Sequence, residues 1–200
     1  MFGEAQITLV SYSVFLYTHS VSMSSPYAAH SPEFILLGFL YEGDSYGYDL
    51  HLRLANELGY IWRISQSQVY TILKRLVKLG YVSSKKQEQK KLPSRQVLHL
   101  TDAGRRRFEG WLEAPTGSSI RSIRLEFITR LYFAQRLTPE KIPLMFEAQA
   151  AVIRSTLSRL ESAQADLPQE QTFNRLSLQL RIQQLRMALN WLNECQEALA

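Results

Sequence analysis

The chain has 200 residues, 46% of them hydrophobic, with a net charge of +5 and a pI near 9.4. This is the composition of an ordinary soluble chain with enough apolar material for one or two cores. A single cysteine, Cys195, excludes an internal disulfide and a cysteine-built zinc site, and fits a reducing cytoplasm.

Met1 to Tyr27 is unlike the rest. Ile7 to Tyr17 is apolar but short, and Ser11, Tyr12 and Ser13 interrupt it. It has neither the basic head nor the cleavage site of a signal peptide and is too short to span a bilayer, so no membrane partner is expected. Residues 1–30 read as an extension of uncertain role. Either it precedes a start near Met23, or it forms an extra helix on the body.

Ser31-Pro32-Glu33 is a helix start: a capping serine, proline at the first position and an acid in the first turn. Phe34 to Leu40 then make a compact apolar helix that stops near Gly43. Asp44-Ser45 opens a second helix ending at Gly59, with Leu50, Leu54 and Leu58 on its inner side. A third helix starts at Ser65, where Ser65 and Gln68 have capping-box spacing. Val69, Ile72, Leu73, Leu76 and Leu79 form its apolar stripe, and Gly80 closes it as a left-handed cap. At about 100° per residue, the opposite face carries Ser67, Thr71, Lys74 and Lys78, flanked by Tyr70 and Arg75, with no carboxylate among them.

After Gly80 the period changes to two. Tyr81 to Gln87 and Gln96 to Leu100 read as antiparallel strands around a loop holding Lys90, Lys91 and Arg95. Three short helices, the third basic, followed by a basic hairpin make a winged helix-turn-helix over residues 31–115. Thr101 caps a helix from Asp102 to Glu113 that carries Arg105-Arg106-Arg107; at least one of those three reads as plain solvated surface. Residues 63–107 hold twelve Lys/Arg against two Asp/Glu. That segment is therefore +10 and the remainder of the +5 chain sums to −5. A concentrated basic block is the electrostatic footprint of a polyanion partner.

Ala114 to Ser119 is a linker by composition. Residues 120–200 then read as a helical dimerisation domain. Ile123 to Leu137 is one helix. Thr138-Pro139-Glu140 starts another, with Phe146, Ala150, Ile153, Leu157, Leu160 and Leu167 along it and Pro143 bending its first turns. The last helix, about Gln171 to Leu199, has two apolar seams. One comprises Leu178, Ile182, Leu185, Leu189, Leu192 and Leu199, and the other Phe173, Leu176, Leu180, Met187, Trp191 and Ala198. Two seams need two partners, and a homodimer supplies the second. Leu178, Ile182, Leu185, Leu189 and Leu192 are the expected dimer contacts.

The ordered pieces Phe34-Ile-Leu-Leu-Gly-Phe-Leu, Tyr46-Gly-Tyr-Asp-Leu50, Ser65-Gln-Ser-Gln-Val-Tyr70, Leu79-Gly-Tyr-Val82 and Leu100-Thr-Asp-Ala-Gly104 resemble the PadR family of transcriptional regulators over residues 32–114. The helical C-terminus looks like the longer, two-part subfamily, in which this region builds the dimer. The resemblance implies a winged-helix regulator of double-stranded DNA, in most members a repressor and in some responsive to small molecules such as phenolic acids. The N-terminal extension departs from the family pattern, and no residue here identifies a particular effector.

The expected DNA-contacting residues are Gln66, Ser67, Gln68, Tyr70, Thr71 and Lys74 in the third helix and Lys90, Lys91 and Arg95 in the wing. Gln and Lys suit base edges, and Tyr70 and the wing cations suit phosphates. A small aromatic effector is expected at the junction of the two domains, near Trp62, Trp111, Phe127, Tyr132 and Phe133. The alternative is a winged-helix protein-interaction module that does not bind DNA. An enzyme is disfavoured: Ser83-x-x-Lys86 falls on a strand without its partner motifs, and the four histidines lack metal spacing, so no cofactor or metal is expected.

Overall fold

The computed structural model describes residues 30–89 and 92–199, and the side chains of 30–85 and 96–199. The N-terminal extension, and with it the choice between its two readings, lies outside the described residues, as do Lys90 and Lys91.

Helix α1 (Glu33–Glu42) is apolar on every side and is buried from Glu33 to Leu40, as a helix at the centre of a domain must be. Helices α2 (Gly47–Leu58), α3 (Gln66–Lys78) and α4 (Asp102–Glu113) pack around it. Phe34 stacks on Trp111 with ring centroids 4.8 Å apart, and Phe108 meets Phe133 edge-on at 5.2 Å. A Cβ placed on Gly38 would lie 2.3 Å from the Phe133 ring, so glycine is what lets this aromatic cluster close over α1.

Strand β1 (Ser45–Tyr46), absent from the sequence reading, takes the place expected for the first turn of α2. It pairs antiparallel with β3 (Leu92–Leu100), which pairs on its other side with β2 (Val82–Gln89), giving the order β1-β3-β2. Both wing strands run further than expected, because ladder hydrogen bonds continue into the polar stretch that composition marks as loop. Gly80 has φ +75 and ends α3. Leu79, placed in the α3 stripe by its spacing, is 55% exposed, because the helix ends before its side chain can turn inward.

Beyond the linker, α5 (Ile120–Ser122), a π-helical segment (Ile123–Phe127) and α6 (Ile128–Leu137) run on as one rod. Leu125 and Phe133 of this rod belong to the winged-helix core, whereas Ile123, Phe127, Leu131 and Ala134 belong to a second core with α7 (Ile142–Ala165) and α8 (Thr172–Leu199). The boundary at 115–120 thus separates the chain, but not the packing. Pro143 lies in the first turn of α7, where its missing N–H costs nothing. Leu167 falls past the end of α7, which stops at Ala165.

Candidate nucleic-acid interface

Helix α3 begins as expected. Ser65 Oγ accepts from the Gln68 N–H at 3.3 Å, and Gln68 Oε1 accepts from the Ser65 N–H at 2.8 Å. The apolar residues Val69, Leu73 and Leu76 are buried, which fixes the rotation of the helix. Gln66, Ser67, Gln68, Tyr70, Thr71, Lys74 and Lys78 are all exposed, and α3 contains no acid.

The exposed side chains differ in what they have left to offer. Gln68 Oε1 is already held by Ser65, so Gln68 cannot present the paired donor and acceptor that an adenine edge needs. The Thr71 hydroxyl donates to the Ser67 carbonyl at 2.9 Å, which leaves its methyl and lone pairs outward. Ser67 Oγ lies 3.0 Å from Ser65 Oγ. Gln66 and Lys74 make no side-chain hydrogen bond among the described residues and keep their full capacity.

Part of the basic block has structural work. Glu33 is only 4% exposed. It accepts from Arg75 at 2.7 Å and from Arg107 at 2.6 Å, joining α1 to α3 and α4. Arg105 lies over the Tyr41 ring at 4.3 Å. Arg106, between them, is exposed. The wing follows the C-terminal end of α3 through Gly80 and Tyr81, and Lys85 on β2 is exposed. Arg95 lies on β3.

The junction of the two domains contains a cavity of about 680 Å³. Tyr41, Phe108 and Leu112 form the winged-helix side and Phe127 and Arg130 the rod, with Leu144, Met145, Ala148 and Val152 of α7 opposite. Arg130 is 1% exposed. Its Nη1 donates to the Ala114 carbonyl at 2.7 Å and to Thr116 Oγ1 at 2.5 Å, its Nη2 is 3.6 Å from Glu126, and its guanidinium sits 4.9 Å from the Trp111 ring. Lys141 at the rim pairs with Glu113 at 2.8 Å, and that hydrogen bond raises its pKa.

The five residues expected near an effector are not brought to one cavity. Phe127 alone of the five lines this cavity. Trp111 and Phe133 are sealed in the winged-helix core, and Trp62 donates from Nε1 to Thr129 Oγ1 at 2.9 Å in the interior. Tyr132 faces away, into a network with Arg53, Glu57 and Arg136. Large aromatics were the visible signal, but they were used to fill the core. The signal that was missed is the four-residue spacing of Leu144, Ala148 and Val152, a second apolar row on α7.

The expected dimer contacts point largely inward. Ile182, Leu185 and Leu192 are buried within the chain against α7 and the rod, and Leu178 and Leu189 are half-buried. On the other side of α8, Phe173 is 86%, Leu176 55%, Leu180 57% and Met187 61% exposed. Trp191 is half-buried and Ala198 exposed. The first seam is consumed by α8 folding back on its own chain, and the second is left facing outward.

Among the described residues no helix is long and apolar enough to cross a membrane. The model of the PadR-like family of transcriptional regulators matches residues 36–110, and that of the C-terminal region of virulence activator alpha matches residues 123–200. The negative transcriptional regulator PadR of Bacillus subtilis is 27% identical over 133 residues, 66% of this chain and 71% of that protein. Its crystal structure with operator DNA matches at 24% identity with a TM-score of 0.41, covering 84% of this chain and 98% of that one. Its structure with p-coumaric acid matches at 23% identity with a TM-score of 0.37, covering 84% and 97%. The two matched regions coincide with the winged helix and with the rod, α7 and α8: residues 36–110 are a PadR-like transcriptional-regulator domain, the C-terminal match fits the longer, two-part form, and the relatives are transcriptional regulators, not enzymes.

Proposed function

We propose that the protein is a homodimeric repressor that binds double-stranded DNA in the cytoplasm and is released by a small molecule. The observation that carries the DNA reading is the outward face of α3. Its capped N-terminus, its exposed Gln66, Ser67, Thr71 and Lys74 and its lack of any acid suit a helix lying in the major groove. Gln66 and Lys74 are assigned as base readers, Tyr70 and the wing residues Lys90, Lys91 and Arg95 as phosphate contacts. Gln68 supports the reading indirectly, by capping the helix that carries the others.

The dimer is assigned to the outward seam of α8, Phe173, Leu176, Leu180 and Met187, which is the larger apolar surface that α8 leaves uncovered. Two α3 helices related by a twofold axis read an inverted repeat with half-site centres about one helical turn, or a multiple of it, apart. The cavity beside the linker is the place for a releasing ligand, because it is walled by both domains.

The test is a gel shift with DNA from upstream of the protein's own gene, against a scrambled duplex, over a salt series. Preferential binding whose affinity falls steeply with salt is expected. Equal, weak binding to both duplexes contradicts the reading and favours the protein-interaction alternative.

A further inference from the structure

The wall of the interdomain cavity restricts the chemistry of what it can hold. Its charged groups are Glu109, Glu113, Arg130 and Lys141, two of each sign, and each has a partner within the chain. Glu109 accepts from the Tyr41 hydroxyl at 3.0 Å, and Glu113 pairs with Lys141. Arg130, the one buried cation, is turned toward Thr116 and the Ala114 carbonyl, and Glu126 adds a further acid beside it. An anion entering here meets no cation without a partner, and Glu109 and Glu113 stand in the same wall, so its desolvation goes uncompensated. The rest of the wall is mostly apolar, with Thr116, Thr138 and Gln149 as its neutral polar groups. At about 680 Å³ the space is several times the roughly 150 Å³ that holds a single benzene ring, and is of the size that takes drug-sized ligands.

We infer that this cavity binds an uncharged, multi-ring aromatic molecule, and not a small aromatic carboxylate. The inference rests on the reading of the cavity as the ligand site of a regulator, and it fixes the class of ligand. Rings lie between Phe108 and Phe127 on one side and Ala148 and Val152 of α7 on the other. Thr116 and Thr138 offer hydroxyls to a neutral polar substituent.

The test uses probes with one skeleton and different charge. N-phenyl-1-naphthylamine is neutral; 8-anilino-1-naphthalenesulfonate adds one negative charge to the same rings; p-coumarate is a single-ring anion. Each is titrated against the full chain in the absence of DNA. The neutral probe should bind saturably, one per chain, and the sulfonate at least about tenfold more weakly. p-Coumarate should not displace the neutral probe. Ala148→Trp and Val152→Phe, introduced separately, should each weaken the neutral probe about tenfold or more with the thermal transition retained. If one of them does not fold, the other decides. Tyr60→Ser, at a fully exposed position outside the cavity wall, should leave binding within about twofold.

Equal affinity for the sulfonate, displacement by p-coumarate, or indifference of the neutral probe to the folded wall variants overturns the inference. None of these readouts involves DNA. Loss of the probe site with DNA binding intact defeats the ligand class alone, and the reverse defeats the DNA reading alone.

Discussion

Gln68 is a reader by residue type and a cap by geometry. Its carbonyl oxygen is committed to Ser65, so Gln68→Ala should lower thermal stability by about 1 kcal/mol and weaken operator and scrambled DNA alike. Thermal unfolding beside anisotropy on both duplexes checks this; a loss confined to the operator would return Gln68 to the readers. Glu33 shows a similar division. Sequence marks it as a first-turn acid, but in the fold it is a buried anchor for Arg75 and Arg107. Since Arg75 is half exposed, Glu33→Ala should cost about 2 kcal/mol in urea unfolding, below the full penalty for breaking a buried pair. Gly38→Ala should cost about 1–3 kcal/mol, because the added methyl meets the Phe133 and Phe108 rings. An unchanged urea midpoint would show that the cluster can yield.

Among the elements, α8 separates the two seams most clearly. Leu180→Asp with Met187→Asp should give a folded monomer by light scattering, since both side chains are already exposed in the single chain. Leu185→Asp should unfold the second core instead, because a carboxylate would be buried there without a partner. A folded monomer from Leu185→Asp would reverse the assignment. α2 and α6 are joined by an ionic network. Burial raises the pKa of Glu57, but hydrogen bonds from Tyr132 and Arg53 outweigh it, and the net shift is downward. A depressed carboxyl adds stability above its unfolded pKa and loses it as pH falls through the folded one. Glu57→Gln should therefore cost stability at neutral pH and nothing at the acid end, by urea unfolding at several pH values; a pH-independent cost would place its effect elsewhere. Helices α3 and α4 were legible because their starts carry local caps, Ser65 with Gln68 and Thr101, whereas Pro139 opens a 3-10 turn and α7 begins only at Ile142. Strand β1 was not legible, because two residues have no period, and it exists only by pairing with β3 far along the chain. The choice between the α8 seams was equally hidden. Both have the same spacing, and only the position of α7 decides which is covered.

For the whole molecule, charge and architecture point the same way. The basic block lies in the winged helix and the wing, while the remainder of the chain is net acidic. Sequence composition located that block but could not say which cations are committed; the fold assigns Arg75 and Arg107 to Glu33 and Arg105 to Tyr41. The cavity was legible only as a junction, since α1, α4, the linker, the rod and α7 form its walls only once they are packed. In the proposed function the acid-free face of α3 reads DNA while the wing only holds it. The most direct test is the ratio of affinities for operator and scrambled duplex, measured by fluorescence anisotropy for Gln66→Ala with Lys74→Ala and for Lys90→Ala with Arg95→Ala. The α3 pair should lose about 1–3 kcal/mol per contact on the operator and little on scrambled DNA, so that the ratio collapses; the wing pair should weaken both duplexes together and reduce the salt slope by about two, leaving the ratio unchanged. An unchanged ratio for the α3 pair, with the protein folded, would contradict the account.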